Sequence, residues 1–213
     1  MHSMQGMPPS GLLCFCFRSL LRNCVLKSKG EPPMKHFSTF KIVLTALFAA
    51  LICVATMLVQ IPIPATGGYA NLGDGVILIC ACLMHPLYAV IAAGLGSMLA
   101  DVFAGYAAYA PATLVIKAGV ALIAALVYCR FARKHSLRAA LPVMIAAFVL
   151  AESFMVLGYF FYEAVILGYG AAAAGGIVGN IAQGVVAVLA ACVVTPVLMK
   201  SEELSALLKK TWQ

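Results

Sequence analysis

Charge is what this chain has least of. Lys, Arg, Asp and Glu make up 10% of its 213 residues, against about 25% in an ordinary soluble domain. Hydrophobic residues reach 64%. That leaves too little polar surface to cover a water-soluble globule, so the chain reads as an integral membrane protein built as one compact bundle. Its net charge of +7 is not a nucleic-acid footprint. The basic residues gather in one set of loops instead of forming a basic face in water, so no nucleic-acid partner is expected.

Other absences narrow the chemistry. There is no GxxxxGK[ST] stretch, so the chain is not itself an ATPase of the P-loop kind. No CxxC occurs among its eight cysteines, and His2, His36, His85 and His135 are scattered. Cys14, Cys16 and Cys24 lie in the N-terminal segment, while Cys53, Cys80, Cys82, Cys129 and Cys192 lie in or beside apolar runs. Small apolar packing residues explain them, and neither a disulfide framework, a metal site nor a cofactor is expected.

Residues 1–33 differ from the rest. Their one short apolar run, Gly11–Phe17, has no basic residue before it, unlike a secretory signal. "MKHFSTFKIVLTALFAALI" then starts as a polytopic membrane protein does: Met34, a little basic charge, a span. Residues 1–33 are therefore expected to be a loose, interfacial or mis-started segment, and residues 34–213 the transmembrane domain.

Four long spans stand out: Ile42–Ile61, Pro111–Phe131, Leu141–Leu167 and Gly175–Leu198. Each has roughly the 20 residues that cross about 30 Å of hydrocarbon. Asp74–Phe103 reads either as one long kinked helix or as two short ones hinged at Met84–Leu87. Charge chooses between them. With two helices there are six spans and both termini share a side with Lys35, Lys41, Arg130, Arg133, Lys134, Arg138, Lys200, Lys209 and Lys210. The opposite loops, 62–74, 104–110 and 168–174, contain no Lys or Arg. The positive-inside rule then predicts an all-α, six-transmembrane-helix bundle with both termini cytoplasmic.

Ionisable groups in hydrocarbon are costly, so each is a functional candidate. Lys117 sits six residues into its span, either as a site residue or as a lysine snorkelling to the surface. Glu152 shares a helical face with Phe148, Met155, Tyr159 and Glu163, an acidic and aromatic stripe that also reads as a packing face. Asn180 and Gln183 lie three apart in "GNIAQG", suited either to a ligand or to interhelical hydrogen bonds. Asp101 and Tyr106 flank the turn in "LADVFAGYAAYAP". Asp74, in "GGYANLGDGV" with Asn71, occupies an N-cap-like position. Together they describe a small polar and aromatic pocket opening outward, suited to a ring-shaped, water-soluble ligand. The "YANLGD" loop would be its lid.

"ALFAAL", "GGYANLGDGVI", "GLGSMLADVFAGYAAYAPATLVIKAG" and "GNIAQG" within residues 34–200 resemble the S components of energy-coupling factor (ECF) vitamin transporters. The likeness is greatest to the branch assigned to pyridoxine, hydroxymethylpyrimidine and riboflavin-like vitamins. The resemblance implies a subunit of a bacterial plasma membrane that captures a vitamin from outside. A separate T component and two cytoplasmic ATPase subunits then drive uptake. It implies a substrate site at Asn71, Asp74, Asp101, Tyr106, Lys117, Glu152, Tyr159, Asn180 and Gln183. It also implies a T-component contact at Ala46 and Ala50, whose small-xxx-small spacing lets another helix approach closely. Two rivals remain. An intramembrane hydrolase would need a base beside Ser97, where the nearest histidine is His85. A stand-alone facilitator or channel would be favoured by inverted repeats, which the sequence does not display.

Overall fold

The computed structural model describes residues 39–132 and 136–202. Expectations about residues 1–33, the start at Met34, and Lys35, Arg133, Lys134, Lys209 and Lys210 lie outside the described residues.

Helix α1, Thr39–Leu58, is followed by a two-stranded antiparallel hairpin, β1 Gln60–Ile63 and β2 Gly68–Asn71. Then come α2 (Gly73–Leu83), α3 (Pro86–Phe103), α4 (Ala110–Val127), α5 (Leu137–Phe161) and α6 (Ala174–Lys200). Wider π-type turns, Tyr128–Ala132 and Tyr162–Ile166, extend α4 and α5, and a 3-10 turn at Gly170–Ala173 leads into α6.

The first span stops at Leu58, not Ile61, because Gln60–Ile63 pairs with Gly68–Asn71 instead of continuing the helix. Pro62 is tolerated there since a two-stranded sheet consists of edges. Gly67 takes φ 64° in the connecting turn, a left-handed conformation that glycine adopts without a steric penalty. The Asp74–Phe103 stretch is two helices, as the hinge predicts. Pro86 begins α3, where its missing N–H costs nothing, and His85 caps the helix by accepting the Leu87 N–H at 3.3 Å.

Among the described residues, five helices are long and apolar enough to cross a membrane. The sixth, α2, has 11 residues and reaches about 16 Å, roughly half the hydrocarbon thickness. It is a buried core helix, packed against α1, α3, α4 and α6. Around it Ile52, Val120, Met144, Phe148 and Met155 close the core, while the leucines and valines of the outer helices stay exposed. Apolar side chains both inside and outside are what hydrocarbon solvent selects.

Helix α3 touches its two neighbours through glycines on nearly opposite faces. A Cβ on Gly96 would lie 2.5 Å from the Ala49 carbonyl oxygen of α1, and one on Gly94 would lie 3.0 Å from the Leu114 carbonyl oxygen of α4. Ala46 and Ala50 point away from this contact and are exposed on α1. The five cysteines among the described residues are free thiols, two of them, Cys80 and Cys82, buried in α2.

Candidate functional site: a cleft beneath the hairpin

The hairpin closes one end of the bundle, and the hydrogen bonds that hold it down outline a cleft. Tyr69 of β2 donates to Asp101 Oδ1 at the end of α3, at 2.6 Å, and its ring lies 4.5 Å from that of Tyr106. Tyr109 donates to the Thr66 carbonyl oxygen at 2.6 Å. Gly68 lets the strand pass over Tyr109, where a Cβ would approach the ring to 3.3 Å. Burial, and then the hydrogen bond to Asp101, raise the Tyr69 phenol above its ordinary pKa. Burial does the same to Tyr109. Both hydroxyls therefore keep their protons and act as donors.

Gln183 joins this roof to the core. Its Oε1 accepts the Asn71 backbone N–H at 2.7 Å, and its Nε2 donates to Asp74 Oδ2 at 2.5 Å. Asp74 in turn takes both hydrogen bonds of a bidentate contact from Lys117 Nζ, at 2.6 and 2.7 Å. Lys117 is 2% exposed and Asp74 fully buried. The lysine therefore does not snorkel. Its ammonium lies 5.3 Å from the centre of the Tyr159 ring, adding a cation–π contact. Nor does Asp74 cap its helix: Leu72 holds the cap position, and Asp74 lies in the first turn of α2, where the helix dipole favours a carboxylate. The local turn is closed by Asn71 Oδ1, which accepts the Gly73 N–H at 2.9 Å.

The cleft is a narrow cavity of about 20 Å³, or about 360 Å³ of atom-free space when its open mouth is included. Of the residues expected at a site, Asn71, Asp101, Tyr159, Asn180 and Gln183 line it. Asp74 and Lys117 lie one layer below, reached through Gln183. Tyr106 buttresses Tyr69 from the side. Glu152 faces elsewhere. It floors a lateral, largely apolar crevice between α5 and α6, bordered by Ser153, Val156, Gly184 and Val188. Neither carboxyl oxygen of Glu152 has a hydrogen-bond partner, although it feels the charges of Asp74 and Lys117.

Among the polar lining residues, Tyr69, Tyr109 and Thr113 were not singled out from sequence, and Glu163 was named only as part of the α5 stripe. Tyr109, Thr113 and Lys117 recur every four residues on α4, a stripe that periodicity alone could have found. Thr113 shares a 3.0 Å hydrogen bond with Tyr159. Glu163 ends the acidic and aromatic face of α5 and carries one unpartnered oxygen.

Among the described residues the hydrolase rival finds no geometry. Ser97 is buried without a hydrogen-bond partner, and His85 caps the far end of the same helix, about 18 Å away along its axis.

Residues 36–200 match the family described as the S component of an ECF-type riboflavin transporter. An "uncharacterized protein in gap 3'region" of Pyrococcus woesei is 54% identical over 66 residues, which is 31% of this chain and 44% of that relative. The chain thus spans less than half the length of that relative. The family match covers most of the chain and runs from α1 through α6, and on it the protein belongs to the ECF-type riboflavin transporter S component family.

Proposed function

We propose that this chain is the substrate-capture subunit of an ECF-type ABC importer, with residues 34–213 as its transmembrane domain. A small water-soluble vitamin or vitamin precursor binds in the cleft, which opens outward from a bacterial plasma membrane. A T component docks on α1 at Ala46 and Ala50, and two cytoplasmic ATPase subunits supply the energy. An S component is a transporter subunit and not an enzyme.

The observation that carries this reading is the cleft itself. Polar side chains from β2, α3, α4, α5 and α6 converge beneath one hairpin, at one end of an otherwise apolar bundle. Converging hydrogen-bonding groups among aromatic walls suit a ring-shaped solute. The exposed small residues of α1 supply a surface that the bundle itself leaves unused.

Co-expression with T and ATPase subunits tests it. The tagged chain should bring down both, and cells should take up the vitamin only with all components present. Uptake by the chain alone would point instead to a stand-alone facilitator. Ala50→Trp should abolish assembly and uptake while vitamin binding by the isolated chain survives. Unchanged uptake would place the docking face elsewhere.

Orientation follows from the same reading. Both termini and the α4–α5 connection lie in the cytoplasm, α2 makes the remaining crossing, and the hairpin lies at its outer end. In a cysteine-depleted background, Ser136→Cys should react with a membrane-impermeant maleimide only after the cells are opened. Labelling of intact cells would overturn the six-crossing topology.

A further inference from the structure

Glycine weakens a helix, because it loses the most backbone freedom on ordering. Helix α6 nevertheless carries three within five positions near its start: Gly175, Gly176 and Gly179. Each lies against a residue of the hairpin. A Cβ on Gly175 would strike the Cβ of Ala65. One on Gly176 would lie 3.1 Å from Thr66 Cγ2, and also 2.8 Å from Glu163 Oε2. One on Gly179 would lie 2.7 Å from Ile63 Cδ1 and 3.0 Å from its Cγ1.

Asn180 and Gln183 continue the same helical face, and Gln183 takes the Asn71 N–H. From Gly175 to Gln183 is about 12 Å along the helix axis. The hairpin thus lies lengthwise on α6, its turn over the helix start and Asn71 about two turns further in. Side chains in this track would prop the hairpin up. Ile63 connects the track to the cleft, since it rests on Gly179 and also lines the cleft wall. With the hairpin seated, the cavity below it is about 20 Å³, room for about one water molecule. A ring the size of benzene occupies a cavity of about 150 Å³.

We infer that Gly175, Gly176 and Gly179 are positioning residues of the capture site. By withholding side chains they let the hairpin settle onto α6, and the settled hairpin holds the cleft below the size of a ring-shaped solute. Entry of a solute lifts Ile63 off Gly179. A methyl group placed under the hairpin does part of that lifting in advance. Clashing substitutions in the track should therefore tighten binding, the opposite of what loss of a merely structural contact would do. That consequence rests on the capture reading above; the seat itself does not.

The test uses the purified full chain in nanodiscs and two readouts. The first, without added solute, is hydrogen exchange of the Gly68–Asn71 amides. Gly175→Ala and Gly179→Ala should each speed it about tenfold, and the paired changes Ala65→Gly and Ile63→Val should each bring it back toward the parent. Gly119→Ala, which meets Phe154 of α5 and no hairpin residue, should leave it unchanged. The second is titration with riboflavin, pyridoxine and hydroxymethylpyrimidine. Whichever binds the parent should bind Gly175→Ala about tenfold more tightly, because apparent affinity scales with the fraction of chains already competent to bind. The Gly175→Ala, Ala65→Gly pair should return to the parent value. Neither residue lines the cleft. Thermal melts identify a variant that fails to fold; if Gly179→Ala does, Gly175→Ala and its rescue decide. Unchanged exchange in both alanine variants overturns the inference, as does faster exchange that the paired changes fail to reverse. Faster exchange with unchanged or weaker binding overturns it too and leaves vitamin capture standing. If none of the three solutes binds the parent, the capture reading falls and the exchange result alone decides the seat.

Discussion

Lys117→Met should destabilise the bundle by about 3–5 kcal/mol, the usual cost of stranding one member of a buried ion pair. The stranded partner is Asp74, fully buried in the first turn of α2 with two of its hydrogen bonds coming from Lys117 Nζ. Gln183 alone would remain to solvate that carboxylate. Combining Lys117→Met with Asp74→Asn removes both charges and should restore most of the loss, since apolar or neutral replacements of a buried pair are often tolerated. Thermal unfolding of the three variants in detergent measures the coupling. If Lys117→Met melts with the parent, the pair contributes nothing to the fold and Lys117 is free to serve the ligand. Any loss of vitamin binding in this variant is expected to follow from displacement of Gln183 and the hairpin, because the lysine does not reach the cleft wall.

Gly96→Val should separate α1 from α3. The first added carbon already falls 2.5 Å from a backbone oxygen and 3.1 Å from the Ala49 Cα, and a backbone cannot rotate away as a side chain can. Overpacking of a close contact costs about 1–3 kcal/mol, sometimes more, and here the accommodation must be a rigid movement of α1. Gly96→Ala should show a smaller loss of the same sign, and Leu95→Val, on the exposed face between the two glycines, should show almost none. Melting temperatures ordered Val below Ala below parent are expected. A Gly96→Val protein as stable as the parent would mean that the helices are farther apart than 2.5 Å allows. Because α1 also carries Ala46 and Ala50, its displacement should depress assembly with a T component as well.

The long helices were legible because hydrocarbon imposes a length, and Ile42, Pro111, Leu141 and Gly175 each open a run of that length. Their ends shifted by a few residues where hydrogen bonding, not hydropathy, sets the boundary, as at Leu58. Helix α2 was less legible. Its apolar residues have no polar face to reveal that it stops halfway, and periodicity cannot separate a short buried helix from part of a crossing one. The hairpin was hidden by Pro62 and Pro64, which argue against a strand until it is seen to be paired along one edge alone. At the site, Asp101, Lys117, Asn180 and Gln183 declared themselves by their cost in hydrocarbon, while Thr113 did not. Which of them meet was not legible. Asp74 and Lys117 are separated by 43 positions, with no pattern in between to connect them. Glu152 and Glu163 share one helical stripe, yet one faces a lateral crevice and the other the cleft. Periodicity assigns a face; the tilt and neighbours of that face come only with the assembled bundle.

Gln183 spends one end of its amide on the hairpin backbone and the other on the buried ion pair. Lifting β2 away from α6 would leave Oε1 unsatisfied in a dry interior, a penalty of about 1–3 kcal/mol. The roof thus behaves as a spring-loaded latch, favouring closure even over an empty cleft. A solute that donates to Oε1 in place of the Asn71 N–H would release that latch, and by reciprocity a released roof would bind such a solute more tightly. Exchange of the Asn71 amide hydrogen is the gauge: faster with ligand if the latch is released, slower if the ligand lies beneath a roof that stays shut.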